Sequence, residues 1–349
     1  MQSIHSLHDF FNLTHAELHL YHMGRRVTPC ERELLAELES ASSPWPVPWQ
    51  GKARLALVFR LGEMQDPLIW FLALPLDEQG HLEPAQRDAF LERLLHTLGQ
   101  SAEAIEKQSA TDIDNLMKDN PLAFTPTLPF QAMLHARACA DLGLPASEHL
   151  EPVEDFLSGQ VNTDWQALGL QGIADYSARL NSERMAELAA AIPILHNEVL
   201  LSLCYCLENT SIDTAVADAL RRRGETEAQA GHLEGLCACI RAVAGAPREV
   251  TGAWFDELLA DAHACGPDVL AAMAARGWEH LEHEQRLPHY LERVASCEQA
   301  DFLALVRDLA LIPRLRLPVL MLLRQAEKGS AISNRLQAVT AGTTGHQQD

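Results

Sequence analysis

The residues best equipped for chemistry in this chain are its cysteines and histidines. Two Cys-x-Cys pairs, Cys204/Cys206 and Cys237/Cys239, sit in the apolar runs Leu203-Cys-Tyr-Cys206-Leu207 and Leu236-Cys-Ala-Cys239-Ile240. Two thiolates chelate one metal only if both point the same way. On a helix, residues two apart diverge by about 200°, so neither pair can close a site from one helix. A site built across neighbouring units from Cys206 and Cys239 stays open, beside the plainer reading that these thiols are small buried hydrophobes.

His280 and His283 share a helical face at i, i+3 in His280-Leu-Glu-His283-Glu, and His289 follows. A zincin needs His-Glu-x-x-His with the ligands at i and i+4, and this order differs. His15, His19 and His22 crowd the N-terminus, but alternation over 17–23 would send His19 and His22 to opposite faces of a strand. The chain contains no Gly-x-Ser-x-Gly elbow, no Walker-type phosphate loop and no Gly-x-Gly-x-x-Gly. No catalytic residue, cofactor or metal is therefore assigned. Trp165-Gln-Ala-Leu168-Gly169 echoes the start of a tetratricopeptide unit, but Gly172 stands where that motif wants Tyr.

The elements that carry these residues repeat. In steps of 33, five short apolar cores line up: Leu170-Gln-Gly-Ile173-Ala174, the two cysteine runs, Val269-Leu-Ala-Ala272-Met273 and Phe302-Leu-Ala-Leu305-Val306. The first, fourth and fifth positions are apolar in each, which is one face of a helix, and 33 residues is the length of a helical hairpin. Such a hairpin cannot bury its stripe alone, so the units must stack, and a stack offers an extended surface in place of one deep cleft.

The N-terminal part reads differently. Ile4, Leu7, Phe10 and Phe11 suit a helix with Ser3 at its cap, 17–23 alternates as a strand, and a second helix is expected over 30–40. Lys52–Leu61 and Leu68–Leu74 read as strands joined by a hairpin loop, and Pro84 opens a helix with Leu91, Leu94, Leu95 and Leu98 on its covering face. The resulting expectation is α+β: a small antiparallel sheet of about three strands with helices over 1–100, then a Pro-containing linker with short helices over 101–130. An all-α domain of stacked helical hairpins, HEAT-like, follows over 131–328, with a largely disordered tail over 329–349.

Between helix and strand runs Ser43-Pro-Trp-Pro-Val-Pro-Trp-Gln-Gly51, stiffened by Pro44, Pro46 and Pro48. Trp45 and Trp49 on this frame are either anchors for a partner, since stiff aromatic loops lose little entropy on binding, or a lid over the sheet. Arg25 and Arg26 would lie near it as a salt-bridge pair or a contact for an acidic partner. These four are the candidate partner-binding residues.

A formal net charge of -21 disfavours nucleic acid and anionic membrane as partners. The short clusters Arg25-Arg26, Arg221-Arg222-Arg223 and Arg314-Leu-Arg316 read as solvated helix ends or salt-bridge partners. No basic start precedes an apolar run at Met1, and no stretch of about 18 apolar residues exists. Eight cysteines without a leader imply a reducing compartment. The expected location is the cytoplasm.

The words Leu20-Tyr-His-Met-Gly-Arg-Arg-Val27, the prolines between Pro44 and Pro48, and Ile69-Trp-Phe-Leu-Ala-Leu-Pro-Leu-Asp-Glu-Gln-Gly80 resemble a gammaproteobacterial family of about this length, the domain of unknown function family numbered 3549. The resemblance covers nearly the whole chain and implies no reaction, cofactor or partner. The functional expectation is a cytoplasmic scaffold or adaptor that binds another protein. An enzyme with an unrecognised site between the two domains is the alternative, and a closed pocket of converging polar groups would favour it. No oligomeric state follows from the sequence.

Overall fold

Period-two alternation builds the sheet. Strands β1 (Glu17–His22), β2 (Thr28–Cys30), β3 (Lys52–Arg60) and β4 (Leu68–Pro75) lie in the order β2-β1-β3-β4, every neighbour antiparallel, so that Leu20 faces Leu57 and Leu57 faces Trp70. The computed structural model describes residues 4–62, 64, 66–98, 113, 115–159 and 164–344. It divides the chain into two units, Met1–Gly143 with Leu311–Pro313, and Leu144–Ala310 with Arg314–Asp349.

In the first unit the inward residues of β3 and β4 meet three helices, α1 (Leu7–Leu13), α2 (Glu33–Glu39) and α3 (Pro84–Leu98). Phe59 stands edge-on at 4.8 Å from Trp70, which in turn meets Phe11 at 6.1 Å and Phe90 at 5.7 Å. Each such ring buries enough apolar surface to contribute roughly 2 kcal/mol, with edge-to-face geometry adding up to about 1.5. Two local expectations shift. The cap of α1 is Ser6, whose Oγ accepts from Asp9 N at 2.9 Å, while Ser3 lies outside the described residues. Cys30, expected to open a helix, ends the short strand β2 opposite Leu20, one strand more than the three expected.

The division between the units also differs from the expected one. The sequence places positions from 131 in the all-α part, yet helix α4 (Leu128–Asp141) groups with the sheet. Tyr21 on β1 is one tie between them: its hydroxyl donates to Asp141 Oδ2 at 3.0 Å, and burial, then the Asp141 charge, raises the phenol above its ordinary pKa. The expected linker is likewise part of this unit where it is described. Ile113, Leu116 and Leu122 join its core, and Ala73 N donates to Leu122 O at 2.7 Å beside β4. Residues 101–112 lie outside the described residues.

The second unit is a stack of helical hairpins. Its helices are α5 (Leu150–Ser158), α6 (Leu170–Ala178), α7 (Ser182–Ala191), α8 (Asn197–Leu207), α9 (Thr214–Gln229), α10 (Leu233–Ala242), α11 (Arg248–Ala260), α12 (Pro267–Arg276), α13 (Trp278–Leu281), α14 (Arg286–Ser296), α15 (Phe302–Leu311), α16 (Pro313–Arg324) and α17 (Ala331–Thr344). All five apolar cores fall in helices. One layer runs α6, α8, α10, α12, each packed on the next, and the other runs α7, α9, α11, α14. Asn181 and Asp213 cap α7 and α9 through Arg184 N and Val216 N, both at 2.9 Å, and Pro267 opens α12.

Close packing makes two glycines obligatory. A Cβ on Gly172 would collide with the His149 carbonyl, and one on Gly245 with the Thr210 carbonyl. The C-terminal segment, expected to be largely disordered from 329, instead forms α17 against α14. Ile332 is buried there, and Arg335 donates to four carbonyls, of Ala295, Cys297, Glu298 and Ala300. Residues 345–349 lie outside the described residues.

Candidate functional site

Of the four residues singled out on and near the proline loop, three are fixed inside the first unit. Trp45 is a core residue, 1% exposed, with its backbone N donating to Gly80 O at 2.8 Å and the His22 ring 5.0 Å away, tilted by 59°. Arg25 is wholly buried, its Nε donating to Pro48 O at 2.9 Å while the guanidinium lies 5.3 Å from the Trp49 ring centre. Trp49 is half-buried and bridged to Lys52 through both backbone groups. Arg26 is half-buried. The loop folds down over the sheet, so the lid reading replaces the anchor reading for Trp45, and Trp45→Ala would probe the core instead of a partner.

Across neighbouring units, Cys239 of α10 is a neighbour of Cys204 of α8. The neighbouring Cys239 thiol, and then burial, raise the Cys204 pKa well above its ordinary value. Cys206, also buried, is pushed up to about 12 by burial and then by the Glu208 charge. Such thiols are inert packing groups. Among the described residues no group of three or more His, Cys, Asp or Glu side chains is placed to hold a metal ion. His280 is buried against Phe255, with Nε2 at 3.2 Å from Ala244 O, and His283 and His289 reach an open groove.

That groove lies between α11 and α14 on the second unit. Cavities of 480 and 410 Å³ share Asp256 and His283. Asp256 is consumed by Arg286, whose Nε and Nη2 each donate to it at 2.7 Å while Nη1 donates to His280 O. Arg248 and Arg314 both lie 3.7 Å from Glu282. Asp256 and Glu282 thus already face cationic partners.

A groove across α8, α10 and α12 is built differently. A 510 Å³ cavity lined by Tyr205, Leu233, Cys237, Ala271 and Ala275 adjoins a 270 Å³ one that shares Leu233 and Glu234 and reaches Leu201. Tyr205 and Leu233 remain 38% and 46% exposed over this floor. At one end the Glu208 carboxylate, 2% exposed, accepts from Arg241 Nε at 2.7 Å and from Arg276 Nε at 2.6 Å, joining three successive units. Arg241 also lies 5.3 Å from the Tyr205 ring centre, which holds the phenol in place. At the other end stand Glu234 and Asp268, in the first turns of α10 and α12. Cys237 beneath them is pushed up to about 11, by burial first, with Arg241 lowering and Asp268 raising it.

Residues 2–340 match the family described as Protein of unknown function (DUF3549), and the chain belongs to that family. No curated protein and no solved structure matches it. No helix among the described residues is long and apolar enough to cross a membrane.

Proposed function

We propose that this chain is a protein-interaction scaffold or adaptor, and that the groove across α8, α10 and α12 holds a segment of a partner. One observation carries the reading: Tyr205 and Leu233 are exposed together above a floor of small residues, on helices locked to one another through Glu208. Large apolar side chains left exposed on a rigid framework are typical anchors, because fixing them further costs little entropy. The groove between α11 and α14 lacks such side chains, and its Asp256 is already paired with Arg286. The cysteines, all free, suit the reducing environment of the cytoplasm, where we place its action.

A photo-crosslinking amino acid in place of Tyr205 tests this in native lysate, with the same group at His263, exposed beyond α11, as control. A discrete adduct from position 205 that position 263 does not give is expected. Equal or absent labelling from both positions contradicts the groove as the working surface.

A further inference from the structure

We infer that the segment held by this groove is extended and basic, with Lys or Arg at every third position and apolar residues between them. The inference rests on the scaffold reading and adds the chemistry of the partner. Its apolar half follows from Tyr205, Leu233 and the alanine floor. Its charged half follows from how the polar lining groups are engaged. Glu227 is taken by Arg223, at 2.6 Å, and by His232, at 3.0 Å. Arg241 and Arg276 converge on Glu208 at the far end. Glu234 and Asp268 are exposed, line the groove, and form no ion pair among the described residues.

These two carboxylates belong to a row. Glu198 occupies the first turn of α8, as Glu234 and Asp268 occupy those of α10 and α12, and it too is exposed. A helix N-terminus offsets only about half a charge, so each position stays net negative, within a chain of net charge -21. Packed helices lie about 8–10 Å apart. A chain in the extended polyproline II conformation has three residues per turn and rises about 3.1 Å per residue, so cations three residues apart share one face and meet successive carboxylates. The intervening side chains are then left over the Tyr205–Leu233 floor.

Display selection of a random peptide library on the full chain tests this, with counter-selection on the Tyr205→Ser/Leu233→Ser variant. Selected sequences are expected to carry Lys or Arg at i and i+3 with apolar residues between. A labelled synthetic copy of the leading peptide should bind Glu234→Gln/Asp268→Asn at least about fivefold more weakly by fluorescence anisotropy. Glu249→Gln, in the other groove, should leave its binding unchanged. Selection on Glu234→Lys/Asp268→Lys should turn toward acidic peptides. Thermal midpoints establish that each variant is folded. Neutral or acidic peptides that depend on Tyr205 and Leu233 overturn the basic partner and leave the groove standing. Peptides that bind the counter-selection variant equally well, or no enrichment at all, overturn the groove and the inference together.

Discussion

Glu208 closes α8 with its carboxylate on Arg241, 33 residues further along the chain, so a single buried acid ties one structural unit to the next. Arg276 reaches the same carboxylate from the unit after that. Removing the acid leaves two guanidiniums without their shared anion. Glu208→Ala is expected to cost about 3–5 kcal/mol of stability, and Glu208→Gln, which keeps one acceptor, clearly less. Urea unfolding followed by circular dichroism reads both. A loss below about 1 kcal/mol for the alanine variant would show that the network contributes little.

His22 supplies a pH dependence. Its residue keeps some surface, but Nδ1 is sealed from water without a hydrogen-bond partner among the described residues, and burial lowers the imidazole pKa from 6.5 to about 4. The unfolded chain therefore binds the proton first. Stability is unaffected by this group above about pH 6.5 and falls as pH drops toward 4, by on the order of 3 kcal/mol over the window. Unfolding midpoints at pH 7 and pH 5 should separate in the native chain and lie closer together in His22→Phe.

At Gly245 any side chain meets the Thr210 carbonyl. Gly245→Ala is expected to cost about 3 kcal/mol or more, far beyond the ordinary gain or loss of a glycine in a turn. Thermal unfolding measures it, with Gly266→Ala, which meets open space, as the neutral comparison.

The thiols divide by burial. Cys204, Cys206 and Cys239 are fully buried, whereas Cys30, Cys139 and Cys297 keep some exposure. Ellman's reagent on native protein should leave the first three unreacted, and all eight should titrate once the chain is denatured. Rapid native modification of Cys204 or Cys239 would contradict their placement between α8 and α10.

Much of this architecture was legible because burial imposes a rhythm. A leucine at 203 and its counterparts at 170, 236, 269 and 302 recur at one spacing, since each must face a neighbouring helix. Sheet alternation was equally plain. The placement of Trp45 was not, because three nearby prolines describe a stiff loop without saying which way it leans, and that is decided by the bond from Trp45 N to Gly80 O. Arg335 is illegible for a similar reason. Carbonyl groups at a helix end leave no trace in composition, so the residue that collects them looks like any exposed arginine. The groove was missed although a signal existed. Tyr205 is a large ring off the apolar stripe, and Glu208 and Arg241 are opposite charges at one repeat position.

The ties that span one structural unit constrain how such a chain can change over evolutionary time. Arg293 reaches back to the carbonyls of Leu259 and Ala260, as Arg241 reaches back to Glu208. Deleting one hairpin, or copying one, would strip a residue of its counterpart on both sides of the new junction. Relatives are therefore expected to vary in length within their turns and to keep the number of hairpins constant, in contrast to arrays whose modules are gained and lost freely.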